Sequence, residues 1–143
     1  MKNTLKLYRP VGKKELDLIA ESGYKAYPPR LTWQPIFYPV MNFEYAAQIA
    51  KEWNAPDEFS GYSGFVTAFE VDADYISKFA VQNVGGFEHN ELWIPSEELA
   101  EFNGHIVGQI DVLAAFYGDK YVGEKMELTV KLDASFLLAS SCP

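Results

Sequence analysis

Two helical patterns come early in this chain, over residues 13–21 and 43–53, and everything after Gly64 reads as strand broken by short helical insertions. That order constrains the fold more than any single residue does. A doubly wound parallel fold needs a helix after each strand, and the second half lacks that alternation. The pattern predicts instead an α+β fold: one mixed, mostly antiparallel split sheet with a few short helices.

The elements follow from local chemistry. Residues 4–9 alternate Leu5 and Leu7 with polar neighbours, the period of a half-buried strand, and Pro10 is expected to end it. Gly12 opens the first helix, Leu16, Ile19 and Ala20 share its apolar face, and Gly23 stands where a C-terminal cap belongs. Residues 24–27 read as a short strand, followed by a proline-marked loop from Pro28 to Pro35 and a strand at 36–38 that Pro39 breaks. Asn42 is a good N-cap for the second helix, whose face Ala46, Ile49, Ala50 and Trp53 has core spacing. Beyond the polar loop 54–64, strands are predicted at 65–71, 79–81, 91–94, 106–113 and 126–132. Asp72 and Ser96 cap the short helices inserted among them, and Trp93 joins Trp53 in the expected core.

At 143 residues the chain is the size of one domain, with a core over about residues 4–113 and an additional strand or tail over 118–143. Its 48% apolar and 22% charged residues are ordinary for a globular protein and argue against disorder. A formal charge of −8 works against generic nucleic-acid binding, which needs a basic face, although a local patch survives an acidic total. The single cysteine, Cys142, allows no internal disulfide, and His89 and His105 lack zinc-ligand spacing, so no metal is expected. No run approaches a membrane span and the first residues lack a signal-peptide core. The expectation is a cytoplasmic protein without membrane contact.

Phosphate loops of the GxxxxGK type, dinucleotide GxGxxG turns and the GxSxG elbow are all missing from the sequence. What remains is Arg9 at the end of the first strand, tyrosines near proline-broken strand ends (Tyr24, Tyr38), and Glu91. The last opens the short apolar strand Glu91-Leu92-Trp93-Ile94-Pro95 behind a polar, glycine-bearing loop.

In their order these pieces resemble the small catalytic core of the ADP-ribosyltransferase fold. The segment Leu7-Tyr8-Arg9-Pro10 looks like its first-strand motif, and Ile36-Phe37-Tyr38-Pro39 followed by the helix 44–53 looks like its second. His89-Asn90-Glu91-Leu92-Trp93-Ile94-Pro95 looks like its closing acidic segment. The resemblance implies a protein that binds NAD as substrate, and either transfers ADP-ribose to an acceptor the sequence does not identify or hydrolyses NAD. Glu91 would then be the catalytic carboxylate, steadying an oxocarbenium-like ribose. Arg9 would grip the phosphate side and Tyr38 would stack on the nicotinamide ring.

The motif set is a hybrid. The tyrosine-bearing branch of that family pairs its tyrosine with a first-strand histidine, where this chain has Arg9. The arginine-bearing branch carries Ser-Thr-Ser, where this chain has Tyr38-Pro39-Val40. A second reading from a different class is therefore open: a non-catalytic module on the same fold that binds a small ligand or a protein. Glu88 is the alternative carboxylate, His89 a substrate contact or a solvated loop residue, and Arg30 a second anion contact or a solvated loop residue.

Overall fold

The computed structural model describes residues 3–31, 34–85 and 89–125. Its centre is an antiparallel, three-stranded sheet ordered β1 (Thr4–Val11), β3 (Ser63–Asp72), β7 (Ile106–Tyr117). Between these strands lie α1 (Lys13–Glu21), β2 (Ile36–Phe37), α2 (Phe43–Ile49), α3 (Ala73–Ile76), β4 (Val81–Asn83), β5 (Asn90–Leu92), β6 (Ile94–Pro95) and α4 (Leu99–Gly104). The chain is a small α+β protein with antiparallel sheets and a few helices. Among the described residues every strand pairing is antiparallel. The predicted strand over 126–132 lies outside the described residues.

The short strands extend the central sheet past β1. Ile36 pairs with Pro95, Phe37 with Ile94 and Val40 with Glu91. The amides of Ser96, Leu92 and Met41 donate to the carbonyls of Pro35, Pro39 and Asn90 at 2.9–3.0 Å. Residues 35–41 therefore run against 90–96 in one unbroken register. On its other side Val40 exchanges both backbone hydrogen bonds with Tyr8, at 2.9 and 2.7 Å. One row of the ladder thus crosses three adjacent strands: Tyr8, Val40, Glu91.

Two apolar layers flank this sheet. On one face Leu7, Val11, Phe37, Phe69 and Leu92 pack with Leu16 and Ile19 of α1 and Leu99 and Phe102 of α4. On the other, Val40, Val66, Ala68 and Leu113 pack with Phe43 and Ala46 of α2 and with Ala50. Alternation along β1 puts Leu7 and Val11 in the first layer and Tyr8 against the second.

Four sequence expectations are corrected. Pro10 does not end the first strand; β1 continues to Val11 opposite Phe65. The N–H that Pro10 lacks would point away from β3, the side Tyr8 uses for Val40, so no bond of the β1–β3 ladder is lost. Residues 24–27 form no strand, because the Ser22 hydroxyl accepts from the amides of Lys25 and Ala26 and folds the segment into a turn. The second helix is α-helical only to Ile49 and continues as a π turn over Ala50–Asn54. That turn rotates Trp53 off the apolar face and leaves it 70% exposed, and Trp93 is 44% exposed rather than core.

The π turn also sets a close approach. A Cβ built on Gly64 would lie 2.2 Å from the Ala50 carbonyl oxygen, so β3 passes the turn at a distance only glycine permits.

Candidate functional site

Arg9 leaves β1 on the α1 face, beside Leu7 and Val11, and is only 5% exposed. Its fork is engaged: Nε donates to Glu15 Oε2 at 2.7 Å and Nη2 to Glu15 Oε1 at 3.0 Å. Its guanidinium lies 4.6 Å from the Phe37 ring centre and 5.7 Å from that of Tyr38. Burial opposes the charge and is the largest single influence on it. Attraction and hydrogen bonding to Glu15, with smaller contributions from Tyr27 and Tyr38, outweigh burial, and the pKa of Arg9 is raised.

Beneath this pair the backbone is tied into a buried polar relay. Thr67 Oγ1 donates to the Arg9 carbonyl at 2.7 Å and lies 2.7 Å from the Tyr27 hydroxyl. Burial raises the pKa of Tyr27 above the ordinary tyrosine value. The Tyr27 ring packs against Phe37 and Phe69, which anchors the segment leading to the proline loop.

A cleft of about 510 Å³ opens over Arg9. Its lining includes Lys14 and Glu15 of α1, Arg30 of the proline loop, Tyr38, Asn54 and a second carboxylate, Asp57. Tyr38 is 41% exposed, so its ring is open to the cleft. The Arg30 side chain is only 9% exposed, and its nearest acid is Glu15 Oε1 at 3.9 Å. Burial, and then repulsion from Arg9, lowers the pKa of Arg30.

Glu91 sits elsewhere. It opposes Val40, so its side chain leaves the sheet on the α2 face. It is 7% exposed, and its carboxylate accepts from Trp93 Nε1 at 2.6 Å and from the Tyr45 hydroxyl at 3.0 Å. Burial first, then the hydrogen bond to Glu91 and its charge, pushes the Tyr45 pKa up to about 12, with a further push from Tyr38. His89 stacks on Tyr45 with ring centres 4.4 Å apart and pairs with Gln48 at 3.1 Å.

The structure therefore brings Arg9 and Tyr38 to one cleft and places Glu91 outside its lining. Tyr38 lies beside Arg9 and lines the cleft with it. Glu88 lies outside the described residues. Tyr24 adopts a left-handed backbone with φ of 60° at the end of α1 and belongs to other surroundings. Sequence reasoning missed Glu15 and Tyr45, the partners of Arg9 and Glu91. Glu15 stands in the first turn of α1 and Tyr45 in that of α2, and neither carries a spacing signal. A larger hollow of about 690 Å³, lined by Lys51, Lys120 and Lys125 among others, contains none of the residues the sequence singles out. Among the described residues no group of three or more His, Cys, Asp or Glu side chains could hold a metal, and no helix is long and apolar enough to cross a membrane.

Comparison with protein-family models, with curated proteins and with solved structures returned no match to this chain. The class is therefore stated from architecture alone: a small α+β protein whose antiparallel sheet carries a cationic, aromatic cleft at the end of its first strand.

Proposed function

We propose that this is an ADP-ribosyltransferase-like domain that binds a nucleotide of the NAD type in the cleft over Arg9, and that binding, without cleavage, is its function. The observation that carries this is positional. Arg9, Tyr38 and Glu91, found in sequence order, belong to three adjacent strands, each within two residues of the row Tyr8–Val40–Glu91. An exposed aromatic ring beside guanidinium groups suits a ligand that joins a planar base to phosphates.

The side chains as placed do not fit the cleavage of NAD. The Arg9 fork is occupied by Glu15, and the Glu91 carboxylate faces the α2 layer, held by Trp93 and Tyr45. A carboxylate that stabilises a ribosyl cation has to reach the ribose, and Glu91 is outside the cleft. One observation favours the transferase reading: the segment that carries Tyr38 pairs with β1 on one side and with the strand of Glu91 on the other.

Incubation with NAD, following nicotinamide release, separates the two. The expected result is no release. Release that Glu91→Gln abolishes without changing the melting temperature overturns the non-catalytic reading and establishes NAD cleavage, by hydrolysis or by transfer.

A further inference from the structure

Among the described residues, two buried side-chain polar atoms have no hydrogen-bond partner: Arg30 Nε, a donor, and Asn54 Oδ1, an acceptor. Both residues line the cleft over Arg9. Folded proteins rarely leave such atoms unpaired; both are sealed from solvent, so a ligand in the hollow reaches them only as the two side chains turn toward it.

The charges point the same way. Two buried guanidinium groups, Arg9 and Arg30, share one carboxylate, Glu15. Both Glu15 oxygens already accept from Arg9, while Arg30 Nη1 stands 3.9 Å away, beyond hydrogen-bond length. Arg30 donates no hydrogen bond to any described residue, although its side chain is nine-tenths buried. A buried cation beside a like charge is costly without an anion of its own.

We infer that Arg30, rather than Arg9, receives the anionic group of the ligand, that this group is a phosphate or diphosphate, and that Asn54 Oδ1 accepts from a hydroxyl or amino group on the same molecule. The forked guanidinium matches phosphate oxygens, and Asn54 then distinguishes a nucleotide from a bare diphosphate. Arg9 becomes a positioning residue whose partner, Glu15, is internal. This assignment rests on the nucleotide-binding reading and specifies which side chains read which part of the ligand.

The test is calorimetric titration of the full chain with inorganic pyrophosphate, ADP and NAD, using the native chain, Arg30→Gln, Arg30→Lys and Asn54→Ala. Melting curves confirm that each variant is folded. Loss of a charge-assisted hydrogen bond predicts that Arg30→Gln weakens pyrophosphate and ADP about 10-fold or more. Arg30→Lys recovers part of that loss, and Asn54→Ala weakens ADP but not pyrophosphate. Unchanged affinities in a folded Arg30→Gln, or no binding of pyrophosphate and ADP at about 10 mM, overturn the inference. If NAD binds without dependence on Arg30, the assignment fails and the nucleotide reading survives. If pyrophosphate binds through Arg30 while ADP and NAD do not, the nucleotide reading fails together with the role given to Asn54, and the anion site stands.

Discussion

Arg9 and Glu91 stand on strands with a single strand between them, yet their side chains leave opposite faces of the sheet. Arg9 turns toward Glu15 on α1, and Glu91 turns toward Tyr45 on α2. The cause is register: Glu91 lies in the row of Tyr8 and Val40, one residue out of phase with Arg9. Because side chains alternate with a period of two, that single step sends the two charges into different layers.

Replacing Glu15 should be costly although it stands in the first turn of a helix. Glu15→Gln leaves two guanidinium groups without a carboxylate, one of them almost fully buried. Breaking a buried pair costs several kcal/mol, and the partial exposure of Glu15 reduces that to about 2–3 kcal/mol here. Urea unfolding of the variant measures the loss.

Glu91 is a structural acceptor in this account. Glu91→Ala removes the partner of both Trp93 Nε1 and the Tyr45 hydroxyl. With Trp93 half exposed, water replaces part of the loss, so about 1–2 kcal/mol of destabilisation is expected. Nucleotide affinity should stay unchanged, which a parallel titration checks.

The glycine at the π turn predicts a contrast. Gly64→Ala places a methyl against the Ala50 carbonyl and should destabilise by about 3 kcal/mol, since two backbones have to separate. Gly104→Ala, at the end of α4 with nothing within 4 Å of its Cβ, should be neutral to within about 0.5 kcal/mol. Thermal unfolding of the pair tests the close approach directly.

Alkaline pH should unfold this protein before Tyr27 and Tyr45 titrate. Tyr27 and Tyr45 are raised by burial, Tyr45 to about 12, while the unfolded chain loses these protons near pH 10. Above that pH the folded state holds more protons than the unfolded one, so stability falls as pH rises. A spectrophotometric titration should show part of the absorbance of the nine tyrosines appearing only together with loss of the folded circular dichroism.

What was legible in the sequence was what periodicity governs. The first helix occupies residues 13–21 as its Leu16 and Ile19 spacing predicts, and β3 extends the predicted 65–71 run by one or two residues at each end. Trp53 was misplaced because a π turn breaks the 3.6-residue period, and no sequence pattern announces a π turn. The clefts and clusters were less legible still. That Glu15 faces Arg9, and that Asn54 and Arg30 line one cleft although far apart in the chain, depends on how α1, the proline loop and the π turn dock. Contacts of that kind leave no local signature.

The most direct test of the account is the map of amide chemical-shift changes as ADP is added to the labelled protein. Changes concentrated at Gly12, Glu15, Leu18, Arg30, Asn54 and Phe59 are predicted, with Tyr45, Glu91 and Trp93 unmoved. Changes centred on Tyr45, Glu91 and Trp93, with the residues around Arg30 still, would contradict it.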